Sequence, residues 1–135
     1  MEQFTDVAPY IRLLGIDVEA TANQATLQMR YSPNLIGLEA LHAGPVGTLL
    51  ECAAFHQLFL HRTNNDKPRL VSLTLQFIRA GRKADTYAQA VIVKQGRNLA
   101  TVRMDAWQDD RSRPIATGQA SFLLRDDEAT AATDT

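Results

Sequence analysis

Alternation of apolar and polar residues marks six segments of this chain as candidate β-strands. The first two, residues 16–20 and 25–31, flank the turn-prone sequence Ala22-Asn23-Gln24, so they predict a hairpin. Four longer alternating segments follow in the second half of the chain, at residues 70–78, 86–94, 99–108 and 115–124. Clusters of glycine, proline and polar residues separate them, which indicates a succession of antiparallel strands.

Helical periodicity marks two other segments. Residues 8–14 place Pro9 in a first turn, carry an apolar side and stop at Gly15, which predicts a short helix. From Pro45 to about His61 no residue breaks a helix, and apolar side chains recur on nearly all sides. We therefore expect this longest helix to be mostly buried. The order of elements predicts an α+β fold in which an antiparallel sheet wraps around one long central helix.

Length and charge narrow the class of protein. A chain of 135 residues with 45% hydrophobic content fits one domain, placed at residues 1–125, followed by a disordered tail at 126–135 without large apolar residues. Because 14 basic residues are balanced by 15 acidic ones, no overall charge favours nucleic acid or an anionic membrane as a partner. The polar, acidic start and the single cysteine, Cys52, favour a cytoplasmic protein, and no apolar run approaches the roughly 20 residues of a membrane-spanning helix.

One acidic residue interrupts the apolar central helix. Glu51 follows Leu49 and Leu50 and precedes Cys52 and Ala53, none of which is a strong polar partner for a carboxylate. Burying an ionised carboxylate costs several kcal/mol unless a partner compensates, so Glu51 is the first candidate for a reactive group. The alternative interpretation is a Glu on an exposed strip of the helix.

The sequence His42-Ala43-Gly44-Pro45 predicts a turn directly before this helix. Free backbone N–H groups and the positive end of the helix dipole favour negative charge at such a place, as in the oxyanion of an acyl-transfer reaction. Glu51 lies roughly 9 to 11 Å from these amides along the helix axis. A carbonyl between the two groups would therefore have to cross the helix surface obliquely.

These motifs resemble the hot-dog thioesterases of the phenylacetate-pathway and 4-hydroxybenzoyl-CoA type. Those proteins carry His-Gly-Gly at the start of the central helix and an acid nine positions after the His, which is the separation of His42 and Glu51. Three further motifs are similar, in the same order: Asn34-Leu35-Ile36-Gly37 before the helix, Leu70-Val71-Ser72-Leu73-Thr74 in the next strand, and the turn Lys94-Gln95-Gly96-Arg97. Two extra residues separate the first motif from the His, and the resemblance extends from about residue 13 to 124.

The resemblance implies an acyl-CoA thioesterase that needs no cofactor, because coenzyme A is part of its substrate. Glu51 would be the nucleophile or general base, the Ala43 N–H would polarise the thioester carbonyl, and Asn34 would orient the acid or its water. Ser72 would position the hydrolytic water across the interface of a homodimer or a dimer of dimers. The residues implied to bind the substrate, chiefly the phosphates and nucleotide of coenzyme A, are Thr74, Arg79, Lys94, Gly96, Arg97 and Asn98.

Each of these residues also has a structural interpretation. His42 is expected to stabilise the turn by hydrogen bonding rather than to act as a base. Ser72 fits a polar position facing water on a half-exposed sheet, and the basic residues fit solvated strand ends. Cys52 fits a small buried side chain whose thiol pKa rises beside the carboxylate. His56 and His61 lack metal-ligand spacing, so we expect no metal site.

Two other functions stay open at this point. Ala43 occupies a position where the family has glycine, which puts a methyl group where the substrate approaches. A non-catalytic acyl-CoA-binding protein is therefore the second hypothesis. A 3-hydroxyacyl-thioester dehydratase is the third, although the His–acid spacing of those enzymes is not found here. The acyl group and the choice between dimer and tetramer are not determined by the sequence.

Overall fold

The structure is a computed structural model that describes residues 8–63 and 67–124. The tail expected at residues 126–135 lies outside the described residues, as does the turn at 64–66. The helices of the described part are α1 (Pro9–Leu13) and α2 (Ala43–Leu60), with a short 3-10 helix at Pro33–Leu35. Its strands are β1 (Ile16–Ala20), β2 (Ala25–Met29), β3 (Arg69–Phe77), β4 (Thr86–Gln95), β5 (Leu99–Trp107) and β6 (Ala116–Leu123). All eight predicted helices and strands are confirmed in type and approximate position.

The six strands form one antiparallel sheet in the order β1-β2-β4-β5-β6-β3. The predicted hairpin of β1 and β2 is confirmed, with Ile16 opposite Met29. β3 follows α2 along the chain but lies at the sheet edge, where it pairs with β6 and not with β4, the next strand in sequence. The alternating pattern of β3 does not contain this information, since the pattern sets which face a residue occupies and not which strand lies beside it.

Small residues on one face of the sheet allow α2 to pack closely against it. Ala88 and Ala90 of β4, Ala100 and Ala106 of β5, and Ala116 and Ala120 of β6 are all buried. α2 packs mainly against β4, β2 and β5, and its Leu49, Leu50, Ala53 and Ala54 are fully buried. The expectation of a mostly buried central helix surrounded by a sheet is therefore confirmed.

The first turn of α2 begins earlier than the sequence pattern predicts. The helix starts at Ala43, with His42 in extended backbone conformation as the N-cap residue, two positions before the expected start at Pro45. Pro45 therefore lies inside the first turn, where a helix N–H has no intrahelical acceptor and its loss costs no hydrogen bond. The expected turn at residues 42–45 is the N-cap and first turn of the helix itself.

Gln57 connects the far end of α2 to the first hairpin. Its side chain is 6% exposed, its Oε1 accepts a hydrogen bond from the Ala25 N–H at 2.9 Å, and its Nε2 donates to the Asn23 carbonyl at 2.9 Å. Gln24 Nε2 donates to the same Oε1 at 3.1 Å. A buried amide satisfied on both sides fixes the hairpin against the helix.

Candidate active site

The loop before α2 is held against the helix start by backbone hydrogen bonds. The His42 N–H donates to the Leu35 carbonyl at 2.8 Å, the Gly37 N–H to Ala40 at 2.8 Å, and the Leu41 N–H to Gly81 at 3.0 Å. Asn34 lies in the 3-10 helix of this loop, exposed, and its side chain makes no hydrogen bond within residues 8–63 and 67–124. Its amide is therefore available near the helix start.

His42 packs between two glycines at the helix start. A Cβ at Gly37 would come within 3.3 Å of its Nδ1, and a Cβ at Gly44 within 3.3 Å of its Cδ2. The imidazole is exposed and makes no side-chain capping bond, so the hydrogen bond that His42 contributes to the turn is that of its backbone N–H. His42 thus contributes to the turn through its backbone N–H and through the packing of its ring.

Two backbone N–H groups at the helix start have no acceptor in the described part of the chain. The His42 N–H is used by Leu35, and Pro45 has no N–H. The N–H groups of Ala43 and Gly44 remain, and both residues are exposed. This pair, at the positive end of an 18-residue helix, is suited to bind an oxygen that gains negative charge.

A cavity of about 370 Å³ opens beside these amides. Ala43 lies in its wall, and Arg79 is the only charged residue there among the described residues. The rest of the wall is formed by Ala40, Leu41, Val46, Phe77, Ile78, Ala80, Gly81 and Ile115. An apolar cavity with amide donors at one end fits an uncharged chain that carries a carbonyl group.

Glu51 lies two turns further along α2 and is half-buried. Partial burial raises the pKa of its carboxyl group above the ordinary value of 4.5. No side chain in residues 8–63 and 67–124 donates a hydrogen bond to it or forms a salt bridge with it. Burial, with the Glu51 charge in second place, raises the pKa of the adjacent Cys52 thiol to about 12, which disfavours the thiolate form.

The side of α2 that carries Glu51 points towards the edge strand β3. A Cβ at Gly47, one turn before Glu51, would lie 2.9 Å from Leu75 Cδ1 of β3. Residues four apart share a helix face, so Glu51 continues the side on which Gly47 meets β3. Phe55 and Phe59 follow at the same spacing with stacked rings 5.8 Å apart, and Arg62 lies over the Phe59 ring. Glu51 therefore lies on the side of α2 that faces the edge strand β3.

Ser72 and Thr74 do not face Glu51 in this structure. In β3, Leu70 pairs with the buried Phe122 and Leu73 with the buried Ala120, whereas Ser72 pairs with Ser121 between them. Since opposed residues share a face, Ser72 and likewise Thr74 point away from α2. An irregularity between Leu70 and Ser72 shifts the alternation at this point. The predicted contact of Ser72 with the acid is not found within one chain.

The residues predicted to bind substrate fall into two groups at opposite ends of the sheet. Arg79 lies just after β3, at the same end of the sheet as Trp107, the last residue of β5. Its Nε donates a hydrogen bond to the Pro114 carbonyl at 3.0 Å. Lys94, Gly96, Arg97 and Asn98 surround the β4–β5 turn, where Leu99 begins β5. The ends of β5 are about 27 Å apart at roughly 3.4 Å per residue. One chain does not bring the two groups together.

The cavity wall includes residues that the sequence did not single out. Phe77, Ile78 and Ile115 come from the end of β3 and the loop before β6, which are joined by a hydrogen bond of 2.8 Å from the Ile78 N–H to the Ile115 carbonyl. Ile78 is 50% exposed. The only local sequence signal for these residues was an apolar side chain at the end of a strand. Which segments lie side by side there is determined by the tertiary structure.

Two kinds of site are absent from residues 8–63 and 67–124. No group of three or more His, Cys, Asp or Glu side chains converges there as metal ligands. No helix in the same ranges has both the length and the apolar character required to cross a membrane.

Together, the six-stranded antiparallel sheet and the long helix that it surrounds define a hot-dog domain. The model of the acyl-CoA thioesterase N-terminal domain family matches residues 32–123. The chain belongs to this family, which places it among the thioester hydrolases, as the resemblance of its motifs implies.

Solved structures agree with this family. A protein from Chromobacterium violaceum shares 35% identity with a TM-score of 0.74, over 93% of this chain and 89% of that one. A thioesterase family protein from Silicibacter pomeroyi shares 25% identity with a TM-score of 0.80, over 88% and 90%. A Bacillus halodurans protein solved with CoA shares the fold at 21% identity and a TM-score of 0.78, over 90% and 85%. Comparison with curated proteins gave no match.

Proposed function

We propose that this protein hydrolyses an acyl-CoA to a free acid and CoA, with Glu51 as the nucleophile or general base. The observation that carries the proposal is the Glu51 carboxylate itself, half-buried in an apolar helix without a partner in the described part. A carboxylate in such a place loses solvation without gaining compensation, which is the state that a base or nucleophile needs. The free amides of Ala43 and Gly44 supply the complementary oxyanion site.

The two halves of this site come from different subunits in our proposal. Ala43 and Glu51 are eight residues apart, which is about 12 Å along the axis and roughly 80° around it. The amides have to lie within about 3 Å of the carbonyl oxygen, and the carboxylate has to reach the carbonyl carbon directly or through one water. We propose that two chains supply this geometry. A second copy placed against the β3 edge would bring its Glu51 face towards the Ala43 cavity of the first.

The exposed surface of β3 supports this association. β3 is an edge strand, and three apolar residues in it or directly after it are exposed, Val71 at 59%, Phe77 at 49% and Ile78 at 50%. Edge strands with exposed apolar side chains favour pairing with another strand. A homodimer joined along β3 is the assembly we propose, and a dimer of dimers is compatible with it.

The proposed reaction begins with the thioester carbonyl at the Ala43 and Gly44 amides. Acting as general base, Glu51 of the partner takes a proton from water as the water oxygen attacks the carbonyl carbon. The amides stabilise the resulting oxyanion, the C–S bond breaks, and the CoA thiolate takes up a proton. In the nucleophilic version, Glu51 attacks directly and water cleaves the resulting anhydride. We assign the orientation of the water to Asn34. Within one chain Ser72 does not face Glu51, and its predicted role across the dimer interface stays a prediction.

The choice of CoA as the carrier rests on the family and on one structural neighbour. The family model that matches this chain is that of acyl-CoA thioesterases, and the Bacillus halodurans neighbour was solved with CoA. The apolar cavity beside Ala43 fits either the acyl group or the pantetheine arm.

Thiol release over short-, medium-, long-chain and aryl-CoA substrates tests the proposal. Glu51→Gln keeps the shape of the side chain and removes its charge, so we expect kcat to fall by about 10²- to 10⁴-fold. Glu19→Gln, at an exposed position on β1, is the matched control and should retain full activity. Full activity of Glu51→Gln would refute the assigned role.

A further inference from the structure

Two consecutive backbone N–H groups directly before α2 are held by two different loops. The Leu41 N–H donates to the Gly81 carbonyl at 3.0 Å, and the His42 N–H donates to the Leu35 carbonyl at 2.8 Å. Gly81 belongs to the loop after β3, and Leu35 to the loop before α2. The next two N–H groups along the chain are the pair without an acceptor in the described part. Because peptide groups are planar, the two held groups limit the directions that the next N–H groups can take.

Gly81 is buried and packs directly against Leu41. A Cβ at position 81 would lie 3.0 Å from Leu41 Cδ1, 3.1 Å from its Cβ and 3.3 Å from its Cγ. At such distances the neighbouring atoms have to give by a few tenths of an ångström. The φ of Gly81 lies outside the left-handed region, so an alanine there would change the contact with Leu41 without straining its own backbone.

Leu41 connects position 81 to the helix start. Its side chain is 9% exposed and lies in the wall of the cavity beside Ala43, and its backbone forms a β-bridge with Ile36. Only His42, in extended conformation, separates Leu41 from Ala43. A shift of Leu41 therefore moves the peptide group that carries the Ala43 N–H.

The loop after β3 is itself fixed on both sides of Gly81. On one side, the Gln108 side chain accepts a hydrogen bond from the Arg82 N–H and donates one to the Arg82 carbonyl, both at 2.9 Å. On the other side, the Ile78 N–H donates to the Ile115 carbonyl at 2.8 Å. Since Gly81 lies between two anchored points, a larger side chain at this position displaces the segment before α2 and not the loop.

We propose that Gly81 is a positioning residue for the thioesterase reaction, because it holds the Ala43 and Gly44 amides in place through Leu41. The proposal rests on the proposed function, which takes these amides to bind the carbonyl oxygen. An oxyanion donor acts at about 2.7 to 3.1 Å from the position of the charged oxygen, so a small displacement weakens the transition state more than the bound substrate. Gly81 itself has no part in the bond-breaking steps.

Steady-state kinetics test the proposal through the separation of kcat from KM. We expect Gly81→Ala to lower kcat for acyl-CoA by about tenfold and to leave KM within about twofold. Gln108→Leu releases the same loop from outside the cavity wall and should lower kcat by about threefold. Thermal unfolding identifies a temperature at which each variant is fully folded, and kcat is compared there.

Gly15→Ala is the matched control for the change from glycine to alanine. Gly15 has φ +72°, so alanine is strained there, and a Cβ at this position would approach only Arg30, at 3.8 Å or more. The control should lose stability and keep its kcat. An equal loss of kcat in Gly15→Ala and Gly81→Ala would attribute the loss to stability alone and would overturn the proposal.

Amide proton–nitrogen NMR spectra separate the failure of this inference from the failure of the proposed hydrolysis, because they need no turnover. We expect Gly81→Ala to shift the resonances of Ala43 and Gly44, and Gly15→Ala to leave both in place. Shifted resonances would support the positioning of the two amides by Gly81 even in a protein that releases no thiol. Unchanged resonances of Ala43 and Gly44 in Gly81→Ala, or a kcat equal to that of the wild type, would overturn the inference.

Discussion

Glu51, the proposed nucleophile or general base, also carries a cost to stability. Its carboxyl pKa is raised because the ionised form is partly desolvated on α2 without a compensating partner in the described part. A raised pKa in the folded state means that the folded protein holds the proton more tightly than the unfolded chain does. The protonated form therefore favours folding at low pH, and this contribution is lost as pH rises through the folded-state pKa.

The rate of hydrolysis should follow the ionisation of Glu51. We expect kcat/KM to fall as pH is lowered through mildly acidic values, with a midpoint above 4.5, the ordinary value for this carboxyl group. A pH–rate profile of the wild type measures this midpoint. A midpoint at or below 4.5 would contradict the assignment.

The same shift predicts the stability of Glu51→Gln. Because the amide carries no charge to desolvate, the variant should unfold at an equal or slightly higher temperature than the wild type at neutral pH, although it is inactive. Thermal unfolding at neutral pH and near pH 4 measures this difference, which should shrink at the lower pH. A strongly destabilised variant would show that the carboxylate has a structural role.

Ala43→Pro removes the proposed oxyanion donor with little change to the fold. Proline is favoured at the first position of a helix, and the residue before it, His42, already has the extended backbone that proline requires, with φ −67° and ψ 143°. We expect a loss of about 10²- to 10³-fold in kcat, as for one oxyanion donor. Ala43→Ser, which keeps the N–H, is the control, and equal activity of the two variants would exclude this amide from the mechanism.

At the level of helices and strands, α2 packs against different strands on its two sides. Its buried side packs on β2, β4 and β5, and the side with Glu51, Phe55 and Phe59 lies towards the edge strand β3. The hairpin of β1 and β2 is attached to the far end of α2 through Gln57. The contacts that hold the hairpin and sheet against α2 and the acid proposed for catalysis thus lie on different faces of the same helix.

Gln57→Leu should destabilise the protein without changing the chemistry. The substitution leaves the buried Ala25 N–H without its acceptor, which costs about 1–3 kcal/mol in the free energy of unfolding. Urea unfolding measures this loss, and kcat at a temperature where the variant is folded should match that of the wild type. Gln119→Leu, at an exposed position on β6, controls for the change of side chain and should unfold like the wild type.

At the level of the whole molecule, the proposed composite site makes activity a property of the dimer. Ala43 and Glu51 lie about 12 Å apart along α2 and on different sides of it, and β3 is an edge strand that a second copy can join. Each dimer then contains two equivalent sites related by two-fold symmetry.

Mixing of two inactive variants tests this arrangement. Half of the dimers in an equimolar, re-equilibrated mixture of Ala43→Pro and Glu51→Gln are mixed, and each has one intact site, so roughly a quarter of wild-type activity should return. Thiol release before and after subunit exchange measures the recovery. Absence of recovery, with exchange verified by mass spectrometry, would place both groups of one site in the same chain.

Much of the molecule follows from local sequence. The alternation of apolar residues and the apolar helix around Glu51 determine the strands, α2 and the class of fold, because these patterns depend on side-chain periodicity alone. The spacing of His42 and Glu51 also led to the family to which the chain belongs.

Other features were decided only by the tertiary structure. The position of β3 beside β6, the outward direction of Ser72, and the separation of Arg79 from Arg97 depend on strand pairing and on an irregularity in β3. A shift of one residue reverses which face a side chain occupies, and pairing partners are chosen by contacts between residues far apart in the chain. The sequence by itself was therefore enough to identify Glu51 as the candidate acid and to predict the helix α2 that contains it. Folding decided which residues form the cavity beside the Ala43 amide.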